Sequence, residues 1–386
     1  MQISSGFRFC RWLVDNGPGR SEAVSSISGR DELKLSVIVP VYNMAADGKL
    51  EYCLDSLVSQ SLDPCEYEII AVDDCSADNS YEILKSYAEK YPGRFIAIHS
   101  ERNLHQGGAK NLGLAIAKGE WLGFIDADDW VVPDYYERLI SRAEETGADM
   151  VGCDYSLTYE HSFKVGEVVH NNNFEQTGVM DRDKYKKLLI ETGSLVVKVY
   201  KRNLIVGDYI PGTRDKLDVF PENIFYEDNA VSNTWMIRSK HFEYIDEPLY
   251  FYYQHNASTV HSISKKNLED RMAAGRMIVA EARQHGYYDE YLPEIEFQYT
   301  VLFYVNTLFS AMPKRYRVRD CYNFTKALGK EMKATFPDFQ KNPYYQEKIH
   351  PEEKKLIGFQ MRSHLFFYIY YRLLWFYRDL RSGKKS

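Results

Sequence analysis

Residues 120–130, EWLGFIDADDW, pass from an apolar run straight into three carboxylates, Asp126, Asp128 and Asp129. Such a run reads as a strand buried on both faces, and its acidic end as the turn beyond that strand. The same pattern lies upstream. LSVIVPVYN at 35–43 and EYEIIAVDD at 66–74 are short apolar runs, the second ending in Asp73 and Asp74. Between them, KLEYCLDSLVSQ at 49–60 spaces Leu50, Cys53, Leu54 and Leu57 along one face of a helix. Ser80–Lys90 reads as a second helix, RFIAIHS at 94–100 as a strand, and GGAKNLGLAIAKG at 107–119 as a helix opened and closed by glycine. Strands and helices alternating at this spacing predict an α/β layered domain with a mainly parallel sheet. Ligands of such sheets bind beyond the carboxyl ends of the strands, where both acidic clusters should lie.

Outward from this unit the chain changes character. Residues 1–33 are rich in Ser, Gly and charge without periodicity and read as a loose extension. Residues 181–260 are mixed, with strands expected at SLVVKVY (194–200) and FEYIDEPLYFYY (242–253). From about 265 the pattern is helical, including a buried helix expected at FQYTVLFYVNTLF (297–309). The expected division is therefore 34–262 for the α/β unit and 263–386 for a helical region.

The chain has 386 residues, of which 45% are hydrophobic and 27% charged, enough for a large core and against general disorder. A formal net charge of −7 gives no electrostatic case for nucleic acid as a partner. The six cysteines form no CxxC pair, so neither a zinc site nor a dense disulfide framework is indicated. No signal-peptide run and no span of ~18 uncharged residues is found, so the expected location is cytoplasmic.

Four stretches carry candidate chemistry. Asp73 and Asp74, before Cys75-Ser76-Ala77-Asp78, can accept hydrogen bonds from a base or a ribose, or simply cap the helix at Ser80. Asp126 and Asp128, at i and i+2 in a tight turn, can aim two hard oxygens at a divalent cation carrying a diphosphate; a solvated acidic turn is the plainer reading. The turn Asn103 to Asn111 places Gly107 and Gly108 at a helix start beside Lys110, a weak anion-binding signal that matches neither a P-loop nor GxGxxG. Glu227 and Asp228 precede an apparent helix, AVSNTWMI, and either cap it or supply a general base.

Taken in order, SVIVPVYN, VDDCSADNS, NLHQGGAKNLG, FIDADDW and YEDNA resemble the inverting family 2 glycosyltransferases of the GT-A fold, of the bacterial cell-surface polysaccharide type, over about residues 35–262. The resemblance implies that Pro40, Tyr42 and Asn43 line a nucleotide pocket, with Asp73 on the base and Asp74 nearby. It matches Asp126 and Asp128 to the family's DxD motif, with Asp128 contacting Mn²⁺ or Mg²⁺, and Asp228 to the acid that deprotonates the acceptor, with Glu227 beside it. The implied donor is a UDP-sugar and the implied acceptor a glycan or lipid-linked glycan. Two departures stand out. Lys110 occupies a place where the family often has Arg, and Gln254 another, which leaves His255, Ser258 and His261 as candidates for the diphosphate or the metal.

Two other classes remain in view: a non-catalytic nucleotide-sugar or glycan-binding module, and a sugar-nucleotide nucleotidyltransferase. The first should have lost some of these acids, and the second should carry a glycine-rich basic loop after its first strand, where this chain has Val41-Tyr42-Asn43-Met44. The tail RSHLFFYIYYRLLWFYRDLRSGKK (362–385) mixes aromatics with Arg372, Arg378 and Arg381. As a helix it fits a membrane surface, the protein's own core or a second copy of the chain.

Overall fold

The computed structural model describes residues 33–254, 264–312 and 320–381. Apart from Leu33, the expected N-terminal extension lies outside these residues, as do His255, Ser258 and His261.

Among the described residues ten strands form one sheet: β1 Leu35–Val41, β2 Tyr67–Asp73, β3 Phe95–His99, β4 Trp121–Phe124, β5 Trp130–Val131, β6 Met150–Thr158, β7 Glu167–Val169, β8 Gly178–Val179, β9 Lys198–Lys201 and β10 His241–Tyr253. Their order is β3-β2-β1-β4-β9-β6-β10-β5, with β7 on β6 and β8 on β10. Strands β3, β2, β1 and β4 run parallel, and β9 is antiparallel to both of its neighbours. Every residue of β1 and β2 is buried, which is why their sequences are continuous apolar runs rather than alternations. Because β1 pairs with β2 on one side and β4 on the other, the chain reverses its direction of travel across the sheet at β1. A crevice opens at such a point, beyond the strands' carboxyl ends.

Helices cover this sheet at Lys49–Val58, Ser80–Lys90, His105–Ile116, Tyr135–Thr146 and Glu227–Arg238. The third of these begins two residues before the expected Gly107, with His105 in the left-handed region at φ 61°. The strand expected from Ser194 begins only at Lys198, since Gly193 (φ 67°) and the residues after it form a turn. The expected helix 297–309 is present but is interrupted by a π-helical stretch, Thr300–Val305.

Among the described residues the buried apolar side chains fall into two clusters. One surrounds the sheet and contains residues from Leu35 to Tyr250 together with Ala274. The other is built from the C-terminal helices, from Leu268 to Tyr371, together with Leu189. Leu302 packs against both. The division expected at 262 falls among the residues outside the description.

Candidate active site

Two loops meet at the carboxyl ends of β1 and β2. Asn43, at φ 53°, donates its N–H to Ser76 Oγ (2.9 Å) and accepts from Ala77 N at its Oδ1 (2.8 Å). Met44 N and Ala45 N donate to Ser80 Oγ and Asp78 Oδ2, at 2.8 and 2.9 Å. Asp78 also accepts from Ser80 N (3.0 Å), so the turn-forming role at this helix start falls to Asp78. Asp73 is fully buried; its Oδ2 lies 2.7 Å from His99 Nδ1, and its Oδ1 has no partner among the described residues. Asp74 accepts from Leu104 N at 2.7 Å, and burial pushes its carboxyl up to about 6. Pro40 is buried, whereas Tyr42 stands 47% exposed at the rim. His99 was not legible as a site residue, because nothing in RFIAIHS marks its ring as the partner of an acid on the neighbouring strand.

After β4 the three acids separate by environment. Asp129 is fully buried and accepts from Tyr250 Oη at 2.5 Å and Tyr253 N at 2.9 Å, which ties the turn to β10. Asp126 and Asp128 remain partly exposed. Burial pushes the Asp126 carboxyl up to about 7; the cation of Lys110 opposes this, while Asp128, Glu227 and Asp228 add to it. Those three acids thus act on Asp126 electrostatically, which places them around one locus. A divalent cation suits this donor set, since Mg²⁺ is commonly held by one or two carboxylates with phosphates and water completing its shell.

Lys110 and Glu227 form a buried ion pair at 2.7 Å, with side chains 3% and 5% exposed. Burial pulls the Lys110 ammonium down, but the attraction of Glu227, Asp126 and Asp228 outweighs it and holds the group above its usual value. The structure therefore commits both groups to each other: Lys110 is not turned outward as a free charge, and Glu227 does not stand open beside Asp228. Close packing permits this. A Cβ on Gly107 would lie 2.2 Å from Pro221 O and 3.2 Å from Glu227 Cγ, so only glycine lets the helix His105–Ile116 approach. Asn111, fully buried, accepts from Val219 N and Phe220 N (3.1 and 2.9 Å) and donates to Phe220 O (2.8 Å), which fixes the loop leading to Glu227.

Asp228, partly exposed, is the second residue of the helix Glu227–Arg238. Its Oδ1 accepts from Asn229 N (2.8 Å) and Asn229 Nδ2 (2.7 Å). Tyr226, just before it, is left-handed at φ 68°, a costly conformation for a non-glycine residue. It is held from the helix Lys265–Gln284, where Arg271 donates to Tyr226 Oη at 2.6 Å and lies over its ring at 4.8 Å. From the same helix, Asp270 accepts from Phe225 N at 3.2 Å. No sequence signal pointed to Arg271, some 45 residues away.

A second acidic grouping, Asp154, His170 and Asp246, lies at β6 and β10 with ligand atoms within 4.8 Å of one another. Asp154 there already accepts from Asn171 N and Tyr244 Oη, and His170 Nδ1 lies 2.7 Å from its Oδ2.

A parallel sheet with its switch at β1, acids at the ends of β2 and β4, and an antiparallel β9 inserted between β4 and β6 define the GT-A glycosyltransferase fold. The Glycosyl transferase family 2 model matches residues 36–205, and the chain belongs to that family. It is 32% identical over 266 residues to the putative glycosyltransferase EpsH of Bacillus subtilis, covering 68% of this chain and 73% of that protein. It is 31% identical over 241 residues to the uncharacterized glycosyltransferase YibD of Escherichia coli, covering 61% of this chain and 66% of that one. Among solved structures it is similar to S. aureus TarS 1–349 in complex with UDP-GlcNAc, with a TM-score of 0.61 and 20% identity over 92% of this chain and 93% of that one.

Proposed function

We propose that residues 34–262 transfer a sugar, with inversion, from a UDP-sugar to a hydroxyl of a glycan or lipid-linked acceptor, and that residues 263–386 hold this unit in its working shape. The observation that carries the reading is geometric: the start of the helix Glu227–Arg238, which holds Glu227 and Asp228, is tied by the 2.7 Å Lys110–Glu227 pair to the helix that leads into β4, the strand that runs into Asp126 and Asp128. Pro40, Tyr42, Asn43, Asp73 and Asp74 form the nucleotide side, where Asp73 Oδ1 is an acceptor still without a partner among the described residues. Asp126 borders the nucleotide, and Asp128 would hold Mn²⁺ or Mg²⁺; when bound, the cation neutralises charge on the departing diphosphate.

An acceptor hydroxyl is a poor nucleophile at neutral pH, so a positioned carboxylate must take its proton as it attacks. Asp228 is suited to this, because Asn229 orients its Oδ1 while Oδ2 makes no hydrogen bond among the described residues. The Lys110–Glu227 pair, buried behind it, fixes the helix start. The experiment is calorimetry with UDP, GDP, CDP and dTDP, each with Mn²⁺ and with EDTA. The expected result is metal-dependent binding of UDP that Asp128→Ala weakens. Equal binding in EDTA, or an unaffected Asp128→Ala variant, rejects the metal assignment.

The tail forms a helix, His364–Arg381, on which Leu365, Phe366, Ile369, Leu373, Phe376 and Leu380 are exposed. From Phe366 to Leu380 the spacing is three and four, and with Leu365 beside Phe366 they lie on one stripe, flanked by Arg372 and Arg381. Among the described residues no helix is long and apolar enough to cross a membrane. The proposal is peripheral binding to the anionic cytoplasmic face through this stripe; a second copy of the chain is the alternative occupant. Phe367 and Tyr371 of the same helix are buried in the C-terminal core, so point substitution is the cleaner test than deletion. The double variant Leu373→Glu/Phe376→Glu is expected to lose cosedimentation with phosphatidylglycerol vesicles; retained cosedimentation rules the stripe out as the membrane contact.

A further inference from the structure

The segment that leads into Glu227 and Asp228 holds two non-glycine residues in the left-handed region, Asn223 at φ 59° and Tyr226 at φ 68°. Asparagine adopts that conformation readily, whereas a bulky residue is crowded there by its own Cβ. Strain of this kind persists only where the surroundings over-determine it, and it gathers at functional sites. Nothing local repays it at Tyr226, whose side chain makes no capping hydrogen bond to the helix it precedes.

The repayment comes from the C-terminal region. One face of the helix Lys265–Gln284 meets the whole segment. Lys266 Nζ donates to the carbonyl of Asn223 at 2.8 Å and lies 2.6 and 2.7 Å from the two oxygens of Asp270. Asp270, only 5% exposed, accepts in turn from Phe225 N at 3.2 Å. Arg271 divides its guanidinium. Nη2 donates to Tyr226 Oη at 2.6 Å with the group lying over the ring, while Nη1 donates to the carbonyl of Asn306 and to Ser310 Oγ, each at 3.0 Å. Asn306 and Ser310 belong to the helix Asn306–Ala311, so one arm of the fork is fastened among the C-terminal helices and the other grips the residue two before Asp228. A planar fork can hold both sides at once, which an ammonium on a flexible stem does not.

We propose that Arg271 is a positioning residue for Asp228: it keeps Tyr226 left-handed, and that conformation sets the direction in which the first turn of the helix Glu227–Arg238 presents the Asp228 carboxylate. Glu227, between them, is fixed by Lys110 from the helix His105–Ile116, so the two residues before Asp228 are held by different parts of the chain. The inference rests on the transferase reading above and adds to it a residue from outside the α/β unit. Arg271 acts on the proton-accepting side of the reaction, and its loss is felt in turnover and not in nucleotide binding.

The test compares full-length parent, Arg271→Met, Tyr226→Phe and the double variant Tyr226→Gly/Arg271→Met. The readouts are turnover of UDP-glucose, UDP-galactose or UDP-N-acetylglucosamine with Mn²⁺ and a methyl glycoside, UDP affinity by calorimetry, and amide hydrogen exchange over residues 225–231. Arg271→Met is expected to lower kcat by about 10-fold or more, the effect of a small misplacement of a reacting group, with UDP affinity unchanged and faster exchange at the helix start. Tyr226→Phe removes only the hydroxyl that accepts from Arg271 and is expected to lower kcat in the same sense, by about 3-fold. Glycine takes a positive φ without being held, so the double variant is expected to regain about 3-fold or more of what Arg271→Met loses and to slow the exchange again. A merely structural role for Arg271 gives no such rescue, because the second substitution removes further packing. Unchanged kcat in folded Arg271→Met overturns the proposal, as does unchanged kcat in Tyr226→Phe should the first variant not fold. A double variant no faster than Arg271→Met overturns it, and so does a loss of UDP affinity equal to the loss of kcat. A folded parent that consumes none of these donors overturns the transferase reading instead, and the exchange rates then decide by themselves whether Arg271 holds Tyr226.

Discussion

Asp228→Asn is expected to lower turnover by about 10²–10⁴-fold, the contribution typical of a positioned general base, while UDP affinity stays near that of the unaltered protein. The carboxamide keeps the size of the side chain and can still accept from Asn229, so the helix start should survive. What it loses is the ability to take a proton. Steady-state kinetics beside calorimetry separates the two effects, and unchanged turnover rejects Asp228 as the base. The split matters because Asp228 also acts electrostatically on Asp126. If the substitution instead weakened UDP binding as strongly as turnover, Asp228 would belong to the metal and nucleotide side.

The second large effect concerns its neighbour. Glu227→Met leaves the Lys110 ammonium buried without its partner, and breaking a buried pair from one side costs about 3–5 kcal/mol. Lys110→Met should cost a similar amount by stranding the carboxylate. The double variant Lys110→Met/Glu227→Met, which removes both charges, is expected to recover most of that loss, because an apolar pair of similar volume commonly replaces a buried ion pair without penalty. Denaturant unfolding of the four proteins closes the cycle. A Glu227→Met variant as stable as the parent but inactive would give Glu227 a chemical role instead.

The sequence is most informative where a strand is buried on both faces. VIV and IIAV at the hearts of β1 and β2 leave no other reading, and their acidic ends follow directly from the parallel arrangement. It is least informative about partners distant in the chain. Glu227 and Lys110 stand 117 residues apart, and taken alone Lys110 reads as a charge for an anion at a helix start and Glu227 as a helix cap or a base, not as each other's partner. The antiparallel insertion of β9, with its fully buried Lys198, is equally hidden: of the carbonyls of Thr192 and Ser194 that satisfy its side chain, the second lies where the sequence reads as strand. The hold of Arg271 on Tyr226 depends on how the C-terminal helices dock, which no local pattern encodes. For Asp73 and Asp74 the local pattern does not decide between capping and ligand contact. The structure gives the helix start to Asp78 and buries the other two, with Asp73 Oδ2 accepting from Ser76 N at 3.3 Å.

Whether Asp228 assists a single displacement is read most directly from the configuration of the transferred sugar. Proton NMR at early times, with α-linked UDP-glucose, UDP-galactose or UDP-N-acetylglucosamine, Mn²⁺ and a methyl glycoside acceptor, reads the anomeric coupling before mutarotation intervenes. A single attack assisted by Asp228 predicts a β-linked product, formed by the parent and absent with Asp228→Asn. An α-linked product, or none of these donors consumed by folded protein, would overturn the inverting transferase reading.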